Sequence, residues 1–308
     1  MLLTAVYIPN PVLEFIKKEI GKKNTYLVAN EMLNHTCGII NFFTSENEYT
    51  AIINDVNRYV FDTSGVNRRQ YGDYQTNVQL AERTVDYLLD QTNDFEFLVE
   101  PTCGKGNFIL AAIHKIKTLK KIVGIEIYQP YVWETKFKVL DYFLQNDTVT
   151  LPEIEILHTN VFTYSFQPLA LAHSQYKTLI IGNPPWVTNS ELGALDSVNL
   201  PKKTNSKRVS GIAAITGKGN FDIGEFITLD LIKHFQCNDG YIALLVKNTV
   251  IKNILSGQQK NNFRLSEMEK LVIDAKLEFD VSVNAALYLA KLNQEPEYVC
   301  RQFDFYTR

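Results

Sequence analysis

Phe95-Glu-Phe-Leu-Val-Glu100-Pro-Thr-Cys-Gly104-Lys-Gly106-Asn-Phe108 is the stretch from which the fold is read. It opens as a short apolar strand, Phe95 to Glu100, and breaks into a turn with two glycines. The helix that follows sets Phe108, Ala112, Ile116 and Leu119 on one face. Glycines in such a turn let the backbone approach a ligand closely, and the helix N-terminus offers unpaired N–H groups. A second strand, Lys121 to Ile127, carries Glu126, 20 residues after Gly106. That is the spacing at which a carboxylate grips ribose hydroxyls in a nucleoside site. The plain alternative, a strand–helix turn with a surface Glu, is weaker once the acid stands at this position. Ile109 occupies the place of the third glycine of a dinucleotide fingerprint. Glu100 also puts negative charge where a pyrophosphate would sit, so a cationic nucleoside suits the turn better.

Outward from this turn the pattern repeats. Helix Pro130 to Leu144 precedes strands Glu153 to Leu157 and Thr178 to Ile181, and the latter ends abruptly at Gly182. A helix from about Ile223 to Phe235 leads to a buried strand, Tyr241 to Val246. Strands alternating with crossover helices imply a parallel sheet covered on both faces. Leu271 to Ile273 and Val281 to Leu292 are too close for a crossover, so an antiparallel edge hairpin is expected. Residues 1–67 read as a helical N-terminal region. Asn10-Pro11 offers a cap and a first-turn proline, and Ser45-Glu-Asn-Glu48 reads as a capping box. Tyr49, Ile52, Ile53, Val56, Tyr59 and Val60 form an apolar face after it.

Composition narrows the class. Of 308 residues 45% are apolar, which excludes general disorder, and Gly and Pro number 15 and 10, too few for low complexity. The formal charge of −3 argues against a small, overtly basic nucleic-acid coat. Cys37, Cys103, Cys237 and Cys300 form no CxxC pair, so no disulfide framework is indicated. His35 and Cys37 lack the second pair of a tetrahedral metal site, and no metal is assigned. The N-terminus lacks a basic n-region and the apolar runs are strand-length, so a cytoplasmic protein without a membrane span is expected.

The most specific signal is Asn183-Pro184-Pro185-Trp186, at the carboxyl end of strand Thr178 to Ile181. Open α/β sheets bind ligands at that edge. Consecutive prolines lock the backbone, so the Asn amide and the Pro184 carbonyl are presented rigidly, with an exposed aromatic ring expected beside them. A stiff turn with a packing Trp is the bland alternative.

With these residues the chain resembles the S-adenosylmethionine-dependent DNA N6-adenine methyltransferases of restriction-modification systems, over roughly residues 68 to 292. Cofactor motifs come first and the catalytic N-P-P-[YFW] follows. Gly72 and Thr76 are similar to the upstream motif that holds the methionine end. Glu100, Pro101, Cys103, Gly104, Gly106 and Phe108 match the strand–turn motif, and Glu126 with Ile127 takes the ribose position. Asn160, beside Val161, stands where an Asp usually contacts the cofactor's adenine amino group, and Asn77 stands where a Pro is common. The resemblance implies a Rossmann-like class I methyltransferase fold, with a mostly parallel seven-stranded sheet and an antiparallel edge hairpin. Residues 68–308 would be the catalytic domain. It also implies S-adenosylmethionine as cofactor and a flipped adenine as substrate. Asn183 and Pro184 would accept the target amine's N–H groups, Pro185 would stiffen the turn, and Trp186 would stack on the base.

Val187 to Gly219 is long for a connection and carries Lys202, Lys203, Lys207, Arg208 and Lys218 against Glu191 and Asp196. A basic, mobile, DNA-binding loop is expected there, with Phe221 bordering the base pocket. Asp274-Ala-Lys276 on a strand has the form of a nuclease motif tail but lacks an upstream acidic partner. Two other readings stay open: protein-glutamine N5-methylation, because release-factor methylases share N-P-P, and a non-catalytic DNA- or partner-binding subunit. The expected partners are double-stranded DNA, a separate specificity region or subunit, and a cognate restriction endonuclease, because no target-recognition domain is evident.

Overall fold

The structure is a computed structural model that describes residues 3, 6–58, 75–146, 151–188 and 222–307. Gly72, Lys202, Lys203, Lys207, Arg208, Lys218 and Phe221 lie outside these residues, as do Tyr59 and Val60.

Strands β1 (Phe97–Glu100), β2 (Lys121–Glu126), β3 (Glu153–His158), β4 (Thr178–Gly182) and β5 (Gly240–Lys247) are parallel neighbours in the order β3-β2-β1-β4-β5. The apolar runs of β1, β2, β4 and β5 are buried because both faces are covered, whereas β3 alternates and buries only Ile154 and Ile156. One face is covered by α4 (Val78–Gln91), α5 (Asn107–Lys115) and α6 (Gln129–Gln145), with Leu98, Ile122, Leu179 and Leu245 facing them. The other is covered by α7 (Phe166–Ala172), α8 (Ile223–Phe235) and α9 (Asn248–Asn261), against Val99, Val123, Ile180 and Leu244. Adjacent strand residues thus alternate between two cores, as a period of two requires.

Beyond β5 the direction changes. β6 (Leu265–Ile273) and β7 (Ala285–Leu292) pair antiparallel, and β7 inserts antiparallel beside β5. The expected antiparallel hairpin closes this end of the sheet, with one further strand beyond it. β8 (Cys300–Asp304) adds parallel to β6, giving eight strands where seven were expected. Its exposed, polar sequence, Cys-Arg-Gln-Phe-Asp, lacks the apolar run that marks a central strand. Helix α4 was also missed; Asn77 caps it, its Oδ1 accepting the Leu80 N–H at 2.8 Å. Asp274 is not on a strand. It caps the short helix α10 (Ala275–Phe279), accepting the N–H groups of Lys276 and Leu277 at 3.0 Å, which removes the nuclease reading.

The N-terminal helices α1 (Asn10–Lys18), α2 (Tyr26–Cys37) and α3 (Glu46–Asn57) share a core with α6 and the sheet. Asn10 lies inside α1 and makes no side-chain cap. Ser45 caps α3 through the Glu48 N–H, but Glu48 closes back on Thr44, one residue earlier than the capping box expects. This region covers the β3 edge, where Ile40 donates to the Ile154 carbonyl and Ile154 to that of Gly38, and so blunts an open strand. Lys136 of α6 anchors it, donating to the Phe42 carbonyl at 2.6 Å over the Trp133 ring. Burial pushes its ammonium down to about 8, with Glu48 and Cys37 opposing. Cys37 is buried and its thiol is pushed up to about 12, mainly by that burial, so it is a core residue and a poor source of thiolate. No helix among the described residues is long and apolar enough to cross a membrane.

Candidate functional site

The sheet order reverses between β1 and β4, and a pocket opens at their carboxyl ends. The empty space of this open cleft, solvent at its mouth included, is about 1020 Å³. The glycine turn forms its floor. Gly104 and Gly106 have φ of +51° and +74°, and a Cβ at either would meet a side chain at 2.5 Å, Gln75 and Thr135 respectively. Both positions therefore require glycine. The turn is held by Cys103 N–H to the Ile125 carbonyl and Gly106 N–H to the Cys103 carbonyl, each 2.8 Å.

Glu126 forms one wall. Its Oε2 accepts the Gly104 N–H at 2.8 Å and its Oε1 the Tyr128 N–H at 2.7 Å. Two backbone donors thus fix the carboxylate at the pocket wall. Glu100, at the end of β1, is 2% exposed, and its Oε2 has no hydrogen-bond partner. Burial holds its carboxyl well above the usual carboxylate range; the Ile109 N–H opposes this and the neighbouring Glu126 reinforces it. A buried acid short of a donor fits a cationic ligand, which would restore the charged form. The same surroundings push the Cys103 thiol up, burial first and then Glu100 and Glu126.

Thr76, Pro101, Cys103, Gly104, Phe108, Ile127, Asn160 and Val161 line the pocket with these acids. Gln75 and Thr76 lie across the turn, where Gln75 Oε1 accepts the Lys105 N–H at 3.0 Å and the Thr76 carbonyl accepts Asn107 Nδ2 at 2.7 Å. Asn160 turns its Oδ1 onto the Phe162 N–H at 2.9 Å, so one lone pair of the expected adenine acceptor is already engaged. Gly106 caps α5 and stands behind the lining.

Asn183, Pro184 and Pro185 line the same pocket. Their backbone runs against the start of α8, where a Cβ on Gly224 would sit 3.4 Å from the Pro185 carbonyl. Trp186 departs from expectation. Its indole is 6% exposed, lies outside the pocket lining and donates from Nε1 to the Leu245 carbonyl at 3.0 Å. It packs edge-on to Phe279 of α10 at 4.9 Å, so it is a core ring in place of an exposed stacking face. A strand end beside an apolar cluster buries a large ring unless something holds it out.

Sequence reading missed Tyr128, Tyr131, Phe162, Ile223 and Ile227 in the lining. Tyr128 and Phe162 each stand two residues beyond a candidate residue and were within reach of spacing arguments. The α8 pair arrives only through tertiary packing. Among the described residues, no group of three His, Cys, Asp or Glu side chains could hold a metal ion.

No protein-family model matches the chain. Over 236 residues it is 37% identical to the type II methyltransferase M.NspV of Nostoc sp., a match covering 76% of this chain and 48% of that protein. The chain therefore spans about half the length of that relative. Among solved structures, the methyltransferase subunit of a type I restriction-modification system from Streptococcus thermophilus aligns with a TM-score of 0.49 and 13% identity. That alignment covers 81% of this chain and 54% of the subunit. The EcoKI M protein aligns at 0.45 and 11%, over 95% of this chain and 58% of its own. By the 236-residue match and its sheet order, the chain is homologous to a type II methyltransferase and has the Rossmann-like fold of S-adenosylmethionine-dependent methyltransferases.

Proposed function

We propose that the chain is the catalytic part of an adenine-specific DNA methyltransferase of restriction-modification type. One observation carries this reading: Asn183 and Pro184 line the same pocket as Glu100, Gly104 and Glu126. Groups able to hold an amine thus face groups able to hold a cationic nucleoside.

S-adenosylmethionine supplies a methyl group on a sulfonium, so the protein's task is alignment. Glu126 would hold the ribose hydroxyls, Glu100 would face the positive charge, and Thr76 would hold the amino-acid end. The Asn183 side-chain oxygen and the Pro184 carbonyl accept the two N–H groups of the target amine. This draws its lone pair out of ring conjugation and holds the nitrogen in line. Orientation of this kind contributes up to about 7–11 kcal/mol in ideal cases. The base must leave the duplex stack to reach the pocket. With Trp186 buried, flanking of a nucleobase falls to Phe162 and Tyr128 of the lining.

Residues 68–308 form the catalytic domain in this reading and residues 1–67 its helical support. DNA grip comes from the Lys202 to Lys218 segment, and target recognition from another region or subunit, with a cognate endonuclease as functional partner. The test is transfer of radiolabelled methyl from S-adenosylmethionine to unmethylated DNA, with the modified base identified by digestion. N6-methyladenine supports the reading. A labelled release factor in place of DNA, or DNA binding with no transfer to either, would overturn it.

A further inference from the structure

Consecutive side chains of the short helix α10 contact two residues that adjoin the pocket lining in sequence, Trp186 and Asn77. Phe279 packs on Trp186, the last residue of the tetrad. Glu278 accepts from Asn77 Nδ2 at 2.7 Å, and Asn77 directly follows Gln75 and Thr76 of the pocket lining. The other oxygen of Glu278 accepts the Tyr306 hydroxyl at 2.8 Å, and that hydroxyl accepts the Asp274 N–H at 3.1 Å. Arg83 of α4 covers the Tyr306 ring at 5.3 Å. Burial and the nearby carboxylates push the Tyr306 phenol up to about 12, so it remains a donor.

We infer that Glu278 is a positioning residue for the cofactor, setting the Gln75–Thr76 segment against the glycine turn through its hydrogen bond to Asn77. This rests on the proposal that the pocket takes S-adenosylmethionine. Asn77 has φ −70°, as the N-cap of α4. The Asn77 amide is held at both ends, Oδ1 by the Leu80 N–H and Nδ2 by Glu278, so α10 adds a restraint to the one that the α4 cap supplies. The segment is then gripped twice, by Lys105 and Asn107 at the turn and by Glu278 from behind.

Calorimetric titration with S-adenosylmethionine tests this on the intact chain. Glu278→Ala is expected to weaken binding about tenfold, the scale of one charge-assisted hydrogen bond. Glu278→Gln, which retains an acceptor for Asn77 and a polar partner for Tyr306, is expected to stay within about threefold of wild type. In an Asn77→Pro background, where the amide that donates to Glu278 is gone, Glu278→Ala is expected to cost less than about twofold. A general loss of packing would not show that background dependence. Wild-type affinity in Glu278→Ala, or an equal loss in both backgrounds, would overturn the assignment. If Glu278→Ala does not fold, Tyr306→Phe takes its place with an expected loss of about threefold, and wild-type affinity there would overturn it as well. Absence of binding by the wild type would instead remove the cofactor reading itself.

Discussion

The carboxylate of Glu126 accepts the backbone N–H of Gly104 at 2.8 Å, joining the end of β2 to the turn after β1. The acid proposed to meet a ribose therefore also shapes the floor of the pocket. Its second oxygen is committed to the Tyr128 N–H, so the carboxylate bridges two backbone donors.

That bridge makes even an isosteric change costly. Glu126→Gln has one acceptor oxygen, and its amide nitrogen would face a backbone donor. S-adenosylmethionine affinity is expected to fall at least about tenfold, on the scale of a lost charge-assisted bond plus an unpaired donor. Calorimetry on the variant checks it, and unchanged affinity would show that the turn holds without the bridge.

Asn183→Ala separates alignment from cofactor binding. Asn183 lines the pocket at the end of β4, away from the Glu126 wall. Methyl transfer is expected to drop by at least about a hundredfold, as when one preorganised transition-state contact is removed. The dissociation constant for S-adenosylmethionine should stay near wild type. Near-normal turnover on DNA would rule out the proposed amine clamp.

Trp186 distinguishes a core ring from a base-stacking one. Its contact with Phe279 and its bond to the Leu245 carbonyl assign it to stability. Trp186→Ala is expected to cost about 3–5 kcal/mol in urea unfolding. Trp186→Phe should cost about 1–3 kcal/mol, mainly for the carbonyl left without its donor. Unchanged stability with lost turnover would restore the stacking role.

Lys136 gives a pH signature. Its folded pKa, about 8, is below the unfolded value of 10.5, so between the two the unfolded chain binds more protons. Stability therefore rises with pH across that window and is lower below it, where the buried ammonium is charged. Urea unfolding at about pH 7.5 and pH 9.5 should show this gain in wild type, and Lys136→Met should lose that share of it. An identical pH response in the two proteins would rule out Lys136 as its source.

Much of the catalytic sheet was legible along the chain. The central parallel strands announced themselves because burial on both faces demands continuous apolar runs, while β3 shows only alternation. The glycine turn was readable because Gly104 and Gly106 occupy backbone conformations that side chains avoid. The 20-residue step to Glu126 followed from the length of one crossover helix and strand. These are local constraints, written in residues close to one another. Tertiary structure decided the rest. β8 is a polar edge strand whose pairing with β6 no periodicity signals. Trp186 turned inward because Phe279, far along the chain, offers an apolar contact that sequence spacing does not reveal. Asn77 likewise gained its role only when the fold brought Glu278 beside it. Which residues are suited to a nucleoside is a matter of residue type and spacing; which side chains actually face it depends on contacts between distant segments, and those exist only once the sheet has closed its two cores.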